Sequence, residues 1–382
     1  MATGASGGTL QRAEAAALTA PKEGGAGDQE EQGRGEADHP FFHYYGMLVH
    51  QQNMLQDYVR TGAYHTAVVN NASDFLGAAV LDVGTGTGIL AMFAAQAGAR
   101  KVYAVEASDM AKVAQKLVAA NMLDATVDVI QAKVEEASLP EQVDVIVSEP
   151  MGFLLVHERM LESFVAARNL FLKPGGKMFP SNGRIYVAPF TDPALFAEQE
   201  AKVAFWESSD FYGINLSALQ EEARAQHFGQ PVIGSFDPSL LLTPCGVADA
   251  ATHDVDFQTC SVEDLQEIEI PFEFAVARTA LLHGLACWFD VSFNGTDSTT
   301  RLSTGPTDAA THWYQCRLLV QEPLAVNAGQ RIAGKLSMSA NEKYSYDLTL
   351  TVHIVGTAGA AVSRTSRINL QDQMYAYLSG TG

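Results

Sequence analysis

Short β-rich runs alternate with runs of helical periodicity between Ala79 and Pro180, and this alternation constrains the fold more than any other feature of the sequence. The runs AVLDV, KVYAVE and VDVIVS are each followed by a helical pattern, while VDVIQA leads to VDVIVS without one. Strands connected through helices run parallel in one sheet, because each helix returns the chain to the same edge. Residues 73–180 are therefore predicted to form a Rossmann-like, doubly wound α/β domain.

A helical segment is predicted ahead of this domain, over residues 40–72. Apolar side chains recur there at helical spacing, with glutamines between them: Met47, Leu48, Met54, Leu55 and Tyr58. This spacing predicts an amphipathic helix. Residues 1–39 are rich in Gly, Ala and Glu, contain no Phe, Trp or Tyr, and are predicted to form a disordered tail.

After Pro180 the pattern changes to successive strand candidates separated by turn residues, among them EIEIPFEFAV, LACWFDVSF and YSYDLTLTVHIV. Residues 181–382 are therefore predicted to form an antiparallel barrel or sandwich. An insertion at about 193–230 interrupts the strands, because Phe196, Phe205 and other aromatic residues lie there among helix formers. Two interpretations of this insertion stay open: an arm that packs on another subunit, and ordinary core packing within the chain.

The chain is acidic, with 24 Lys and Arg against 44 Asp and Glu and a formal net charge of −20. This charge disfavours direct binding of nucleic acid or anionic membranes and favours a basic partner, unless it serves solubility alone. The four cysteines form no CxxC pair, and no apolar run approaches the roughly 18 residues of a membrane-spanning helix. We expect reduced cysteines and a soluble, unsecreted protein of the nucleus and cytoplasm.

The first strand leads into a glycine-rich turn, Gly84-Thr85-Gly86-Thr87-Gly88, which opens the first helix of the domain. Glycines there permit a tight turn and the close approach of a ligand to the backbone. The spacing is GxGxG rather than the GxGxxG of dinucleotide sites, and Glu106 at the end of the next strand could accept both hydroxyls of a ribose. The motif favours S-adenosylmethionine over a nicotinamide cofactor, with a purely structural turn as the remaining alternative.

S-adenosylmethionine carries a zwitterionic amino-acid end, so its site requires a cation for the carboxylate and an acceptor for the ammonium. Arg60 and Asp82 are candidates for these groups, and Glu135, after the third strand, is a candidate for contact with the adenine amino group. Each has a simpler alternative: Arg60 in a surface ion pair, Asp82 orienting the loop, and Glu135 solvated. Their occurrence as a set favours the ligand site.

Two carboxylates follow the fourth strand. Glu149 ends that strand, and Glu158 lies nine residues later, near the start of the next helix. Ligands of open α/β sheets bind at this edge, and two neighbouring carboxylates favour a cation between them. A guanidinium suits such a pair because its planar fork matches carboxylate geometry. The alternative for Glu158 is simple capping of the helix.

Two longer segments resemble the signatures of one family. EPMGFLLVHE, from Glu149 to Glu158, resembles the double-glutamate loop of the protein arginine methyltransferases, and Thr311-His312-Trp313 resembles their THW loop. With FFHYYG, QQNM, VLDVGTGTG, VEAS and KVEE, the resemblance covers about residues 41–380. The proline after Glu149 and the segments FPSNGRIYVAPFTD and NLSAL are most similar to the type I, coactivator-associated subfamily.

The resemblance implies specific roles for individual residues. Glu149 and Glu158 would hold the substrate arginine, and Tyr45 would help to close this pocket. His312 would pair with Asp57, and the sequence leaves open whether His312 relays a proton or is a satisfied interdomain histidine. No metal site is implied. The implied cofactor-binding residues are Phe42, Tyr45, Gln51, Met54, Arg60, Asp82, Gly84, Gly86, Glu106, Ala107, Val134, Glu135 and Ser163.

The implied fold is a Rossmann-like methyltransferase domain, with N-terminal helices covering the cofactor, joined at Pro180 to a β-barrel whose insertion is a dimerisation arm. The implied function is S-adenosylmethionine-dependent methylation of protein arginine by a homodimer, with histones and RNA-binding proteins as expected substrates. Met54 accompanies asymmetric dimethylation in the family, while His157, beside Glu158, occupies a variable position expected to tune peptide preference or pH response.

Three rival functions are considered. A nicotinamide oxidoreductase would carry GxGxxG, which this chain lacks. A small-molecule methyltransferase is disfavoured by the THW segment and by the arm. A catalytically silent binding scaffold of the same fold remains the main alternative, although each charged position of the implied site is present.

Overall fold

The computed structural model describes residues 44–356 and 363–375. Two predictions lie outside this part of the chain. They are the disordered tail at 1–39 and the cofactor role of Phe42.

A five-stranded parallel sheet forms the centre of the first half. Its strands are β1 Ala79–Val83, β2 Lys101–Glu106, β3 Val127–Gln131, β4 Val143–Ser148 and β5 Leu172–Phe179. The spatial order is β3-β2-β1-β4-β5, so the strand order reverses between β1 and β4. Ligand sites of open parallel sheets lie at the carboxyl ends of strands next to such a reversal. All five residues of β1 are buried, as expected for a central strand covered on both faces.

From residue 48 onward, the helices that accompany this sheet are α1 Leu48–Gln56, α2 Tyr58–Asn70, α3 Ala72–Phe75, α4 Ile89–Gln96, α5 Met110–Ala120 and α6 Met160–Phe171. The four predicted strands and the predicted helices are confirmed for this half, and the fifth strand, β5, was not predicted from the sequence. Tyr64 of α2 packs its ring edge-on against Phe293 of the β-rich half, with 4.8 Å between ring centroids. The described part of the chain contains no helix that is both long and apolar enough to cross a membrane.

The predicted N-terminal helices are present, but the five apolar positions assigned to one amphipathic helix do not share a single helical face. The helix breaks at Asp57, whose backbone leaves the helical region and whose carboxylate accepts a hydrogen bond from the Arg60 amide at 2.9 Å, capping α2. Three of the five expected apolar positions, Met47, Leu48 and Tyr58, are exposed. The break resets the helical phase, so a different set of residues on α2 faces the core.

The described residues of the second half form eleven strands: β6 Asn182–Phe190, β7 Val232–Gly234, β8 Ala251–Asp256, β9 Glu267–Ala275, β10 Ala280–Asn294, β11 Thr299–Ser303, β12 Gln315–Val326, β13 Arg331–Asn341, β14 Ser345–Ile354, β15 Ser363–Asn369 and β16 Met374–Tyr375. They form one sheet in the order β16-β7-β12-β10-β6-β8, with β11 on β10, and a second in the order β15-β14-β13-β9. The pairs are antiparallel except β16 with β7. The sheets approach at β12 with β15 and at β8 with β9, so the second half has the predicted β-rich, barrel-like form.

The insertion after β6 contains α7 Pro193–Ala204 and α8 Gln220–Phe228, joined through short 3-10 turns at Phe205–Glu207 and Ser217–Leu219. Its base packs within the chain, where the rings of Phe196 and Phe228 lie 5.1 Å apart. Its tip leaves large apolar side chains exposed: Phe205, Phe211, Tyr212, Ile214 and Leu219. Core packing within the chain therefore describes the base but not the tip.

The peptide bond between Phe179 and Pro180 is cis and joins the two halves. A buried side chain also ties them together: Asn71 Oδ1, at the end of α2, accepts hydrogen bonds from the amides of Asp297 and Ser298 at 3.0 and 2.8 Å. The remaining helices of the described β half are α9 Val262–Gln266 and 3-10 turns at Pro238–Leu240 and Gly246–Asp249.

Candidate active site

The glycine turn after β1 lies under two side chains from other elements. Gly84, Gly86 and Gly88 all have positive φ, at 65°, 54° and 86°. A Cβ on Gly84 would lie 2.2 Å from Met160 Cε, and one on Gly86 would lie 2.7 Å from Gln51 Oε1. The positive φ favours glycine at these positions, whereas the two nearby atoms are the ends of flexible side chains that could move aside. Gln51 is one of the predicted cofactor residues, whereas Met160, at the start of α6, is not.

Asp82 is buried at the end of β1. Its Oδ2 accepts hydrogen bonds from Thr85 Oγ1 at 2.5 Å and from the Ala91 amide at 2.9 Å, so the loop-orienting role is real. Its Oδ1 is buried and has no partner among the described residues. Burial raises the pKa of Asp82 to about 7, against the lowering effect of its hydrogen bonds. One oxygen therefore holds the turn while the other remains available to a ligand.

Glu106, at the end of β2, is also held by backbone groups. Oε2 accepts from the Gly86 amide and Oε1 from the Ser108 amide, both at 2.9 Å. Each carboxylate oxygen keeps a further lone pair, so acceptance of ribose hydroxyls is compatible with this geometry. Ala107 lies half-buried between Glu106 and Ser108.

The third cofactor segment follows β3. Val134 is buried and Glu135 is exposed, as the solvated interpretation of Glu135 requires. The carboxylate is nevertheless oriented, because Ser163 Oγ of α6 donates to Glu135 Oε1 at 2.6 Å. Met54 lies half-buried on α1.

Arg60 and Glu149 form a buried ion pair. Arg60 Nη2 lies 2.9 Å from Glu149 Oε2, and their side chains are only 7% and 11% exposed. The surface ion pair considered for Arg60 is therefore wrong, since this pair is withdrawn from solvent. Arg60 Nε and Glu149 Oε1 are buried and have no partner among the described residues. Buried charges normally have partners, so these atoms mark polar positions that a ligand could satisfy.

Glu158 is held from the N-terminal side. Tyr45 donates its hydroxyl to the carboxylate, with Oη 2.8 Å from both Oε1 and Oε2. Helix capping by Glu158 is wrong, because α6 begins at Met160 and no side-chain cap is present there. Burial raises the pKa of Glu158 to about 7, the Tyr45 hydrogen bond opposes this rise, and the nearby charge of Glu149 adds to it.

The predicted pairing of His312 with Asp57 is present in the structure. Asp57 Oδ2 accepts from the His312 amide at 2.8 Å and lies 2.7 Å from its Nδ1. Burial alone would raise the pKa of Asp57, but hydrogen bonds from His312 and from the Arg60 amide hold it below its ordinary value. The adjacent Trp313 donates Nε1–H to the Met151 carbonyl at 3.0 Å. The THW segment thus contacts both the N-terminal helices and the loop between the two glutamates.

Two residues of the site, Tyr64 and Met160, were not predicted from the sequence. Tyr64 lies four residues after Arg60 on the same face of α2, and its hydroxyl donates to the Ser148 carbonyl at 2.8 Å. That spacing was an available signal. No sequence signal indicated Met160, because its position over Gly84 arises only when the turn and α6 come together in the fold.

The geometry describes a site with two parts at one edge of the sheet. Three glycines, Asp82 and Glu106 surround a pocket for a polar ligand that approaches backbone, and Glu149 and Glu158 form an acidic pair suited to a planar cation. No cluster of three or more potential ligands for a metal occurs in residues 44–356 and 363–375.

Comparison with known proteins agrees with the division of the chain into two halves near Pro180. Residues 80–176 match the family model described as "Methyltransferase domain", and residues 181–355 match "Arginine methyltransferase oligomerization subdomain". The chain is 49% identical over 342 residues to the "Probable histone-arginine methyltransferase CARM1" of Oryza sativa subsp. indica, covering 88% of this chain and 64% of that protein. It is 48% identical over 337 residues to the "Histone-arginine methyltransferase CARMER" of Anopheles gambiae, covering 88% of this chain and 53% of the relative. The chain therefore spans less than two thirds of the length of these relatives.

A solved structure gives the more complete match. The crystal structure of Arabidopsis thaliana protein arginine methyltransferase 10 superposes with a TM-score of 0.77 at 35% sequence identity, over 86% of this chain and 99% of that one. The Trypanosoma brucei PRMT1 enzyme–prozyme complex with AdoHcy superposes with a TM-score of 0.75 at 32% identity, over 85% of this chain and 99% of that one. With its glycine turn, paired glutamates and β-rich oligomerisation subdomain, the chain belongs to the protein arginine methyltransferase family.

Proposed function

We propose that this protein transfers methyl groups from S-adenosylmethionine to the guanidinium nitrogens of arginine in proteins. The observation that carries the proposal is the acidic pair at the sheet edge. Glu149 is held on one oxygen by Arg60, and its second oxygen is buried without a partner among the described residues. Glu158 accepts a hydrogen bond from Tyr45, and the nearby charge of Glu149 raises its pKa. A guanidinium would neutralise both carboxylates and satisfy the open oxygen.

The residues present fit the implied cofactor. Asp82 Oδ1 is a buried acceptor without a partner, suited to an ammonium, and Arg60 Nε is a buried donor without one, suited to a carboxylate. Glu106 would take the ribose hydroxyls and Glu135 the adenine amino group. When bound, S-adenosylmethionine supplies an electrophilic methyl group on a sulfonium, which departs as a neutral thioether.

The protein's part in the reaction is positioning and electrostatics. Guanidinium is a poor nucleophile because its lone pairs are delocalised and its pKa exceeds about 12. Glu149 and Glu158 would bind the two ends of the fork, draw positive charge away from the reacting nitrogen, and fix its direction in a water-poor pocket. Both must be ionised to do so, and the raised pKa of Glu158 falls when a cation binds beside it.

A proton leaves the guanidinium during or after transfer. Glu149 Oε1 has no described partner and is available to accept it. We assign His312 a pairing role rather than a relay role, because both its amide and Nδ1 are directed at Asp57.

The product and the substrates are proposed from the family resemblance. Met54 on α1 accompanies asymmetric dimethylation in the type I enzymes that this chain resembles, so we propose mono- and asymmetric dimethylarginine as products. Histone tails and RNA-binding proteins are the proposed substrates, in nucleus and cytoplasm. The exposed apolar tip of the arm, with Tyr212 93% and Ile214 61% exposed, supports a homodimer.

The test is direct. The protein is incubated with isotopically labelled S-adenosylmethionine and with a histone-tail or a Gly-Arg-rich peptide, and methylarginines are separated by mass spectrometry. We expect asymmetric dimethylarginine, and none with Glu149→Gln. Cofactor binding without methylation of either peptide would instead favour a silent scaffold.

A further inference from the structure

His157 joins the double-glutamate loop, residues 149–159, to two segments of the β-rich half. Its Nδ1 lies 3.0 Å from Ser345 Oγ at the start of β14, and its Nε2 lies 3.1 Å from Gln373 Nε2 just before β16. Its ring also stacks on Phe153 of the same loop, with 6.0 Å between centroids. Ser345 is fully buried, whereas His157 and Gln373 are half-buried. His157 is thus the immediate neighbour of Glu158 and is fixed at both ring nitrogens.

The partners determine the tautomer of this histidine. Gln373 Nε2 donates to the Leu370 carbonyl at 2.6 Å, which identifies it as the amide nitrogen. His157 Nε2 therefore accepts from Gln373, and Nδ1 carries the hydrogen and donates to Ser345 Oγ. A protonated ring would place Nε2–H against an NH₂ group. Burial independently lowers the pKa of His157 to about 4, so the ring is neutral under ordinary conditions.

The backbone of the double-glutamate loop is strained, so contacts from other elements are needed to hold it. Leu154, Leu155, Glu158 and Arg159 all have positive φ, at 55°, 71°, 74° and 56°, although none is glycine. Left-handed backbone at such residues costs free energy and persists only where the surroundings hold it. Glu158 itself is among these residues, so the direction of its carboxylate depends on what anchors the loop beside it.

We propose that His157, as the neutral Nδ1–H tautomer fastened to Ser345 and Gln373, is a positioning residue that sets the direction of Glu158. The inference rests on the proposed function, since Glu158 there holds the acceptor guanidinium. It assigns to the segment before β16 a role in the acceptor site although that segment follows Glu158 by more than two hundred residues.

Steady-state kinetics test the positioning role. We expect His157→Ala to lower kcat/KM for a histone-tail peptide between about 10-fold and about 100-fold, while the cofactor Kd changes less than about twofold. His157→Asn keeps a donor near the position of Nδ1 and should give an intermediate value. Tyr346→Phe is the matched control, because it removes another buried hydrogen bond of β14, to the Leu265 carbonyl at 2.7 Å, away from the loop. A value for His157→Ala within about threefold of wild type, or an equal loss in Tyr346→Phe, overturns the proposal.

A double-mutant cycle tests the contact itself. If His157 and Gln373 act through one hydrogen bond, the combined His157→Ala and Gln373→Ala variant loses clearly less kcat/KM than the product of the single losses. Simple multiplication of the two losses would show that they act separately and would refute the arrangement.

Hydrogen–deuterium exchange separates this inference from the proposed function. The Gly152 and His157 amides donate within the loop, to the carbonyls of Leu155 and Phe153, and report its closure without any methyl transfer. His157→Ala should speed exchange in residues 152–159 and leave β9 unchanged. A wild-type protein that methylates neither peptide refutes the proposed function alone. Unchanged loop exchange refutes the anchor whether or not the protein is active.

Discussion

The two parts of the site lie at the same sheet edge but are built differently. On the cofactor side, Asp82 and Glu106 are held by amides and a hydroxyl within twenty residues of themselves in sequence. On the acceptor side, Glu149 and Glu158 are held by Arg60 and Tyr45, which lie 89 and 113 residues away. Asp82 and Glu106 of the first part are held by the nearby chain, whereas the carboxylates of the second part are held only when separate elements have docked.

Because of this difference, a substitution should affect mainly the part of the site in which it lies. A change in the N-terminal helices or in the THW segment should disturb the acceptor side and spare the glycine turn. A change at the glycine turn should do the reverse. Two residues of the N-terminal helices are exceptions: Gln51 lies over Gly86 of the turn, and Arg60 holds Glu149 while its Nε remains unpartnered among the described residues. The four predictions below test the division, from the largest expected effect to the smallest.

Glu158→Gln should give the largest effect. It removes a charged contact to a desolvated cation, and we expect turnover to fall more than about a hundredfold. The cofactor Kd should change less than about threefold, because the hydrogen bonds described for this carboxylate come from Tyr45 and not from the glycine turn, Asp82 or Glu106. Labelled methyl transfer and calorimetry measure the two quantities, with Glu267→Gln on the exposed face of β9 as the control. A parallel loss of cofactor affinity would show that the two parts are not separable.

Tyr45→Phe should weaken the acceptor side about 10-fold near neutral pH, since a hydrogen bond to a charged group contributes about 1.5 kcal/mol or more. Glu158 must be ionised to bind the cation, so kcat/KM should rise with pH through the Glu158 pKa of about 7 and then level off. The hydroxyl of Tyr45 opposes the rise in that pKa, so its loss should move the profile to higher pH. Superimposable profiles for variant and wild type would contradict this assignment.

Glu106→Gln tests the cofactor side, where the carboxylates are held by nearby residues in the sequence. The amide group cannot accept from both the Gly86 and Ser108 amides, so the turn should loosen. We expect the cofactor Kd to rise about 10-fold or somewhat less, since one hydrogen bond to a charged group is lost. The peptide KM at saturating cofactor should stay within about twofold of wild type. A larger rise in peptide KM than in cofactor Kd would reverse the division.

The same division explains what could be predicted from the sequence. The glycine spacing and the acidic residue at the end of β2 are local signals, and the structure brings them together as the pattern requires. The alternation of β9, with every second residue buried, is likewise readable in EIEIPFEFA. Such features depend on neighbours in sequence, for which periodicity is informative.

The long-range contacts could not be read in this way. Nothing in the composition around Arg60 shows that Glu149 is its partner, and its isolated charge is compatible with a surface pair. The helix break at Asp57 was missed because the apolar spacing continues across it, although a capping carboxylate there was a visible signal. The resemblance to a family supplied the pairing of His312 with Asp57, which spacing alone does not contain.

Asp57→Asn should give the smallest effect and resolves the role of His312. Asparagine keeps an oxygen for the Arg60 amide, but its NH₂ group replaces the oxygen that accepts from His312 at two positions. We expect the free energy of unfolding to fall by about 1–2 kcal/mol. Turnover should stay within about fivefold of wild type if His312 only joins the two halves. Proton relay contributes about a hundredfold or more in enzymes that use it, so a loss of that size with intact folding would assign the relay to His312.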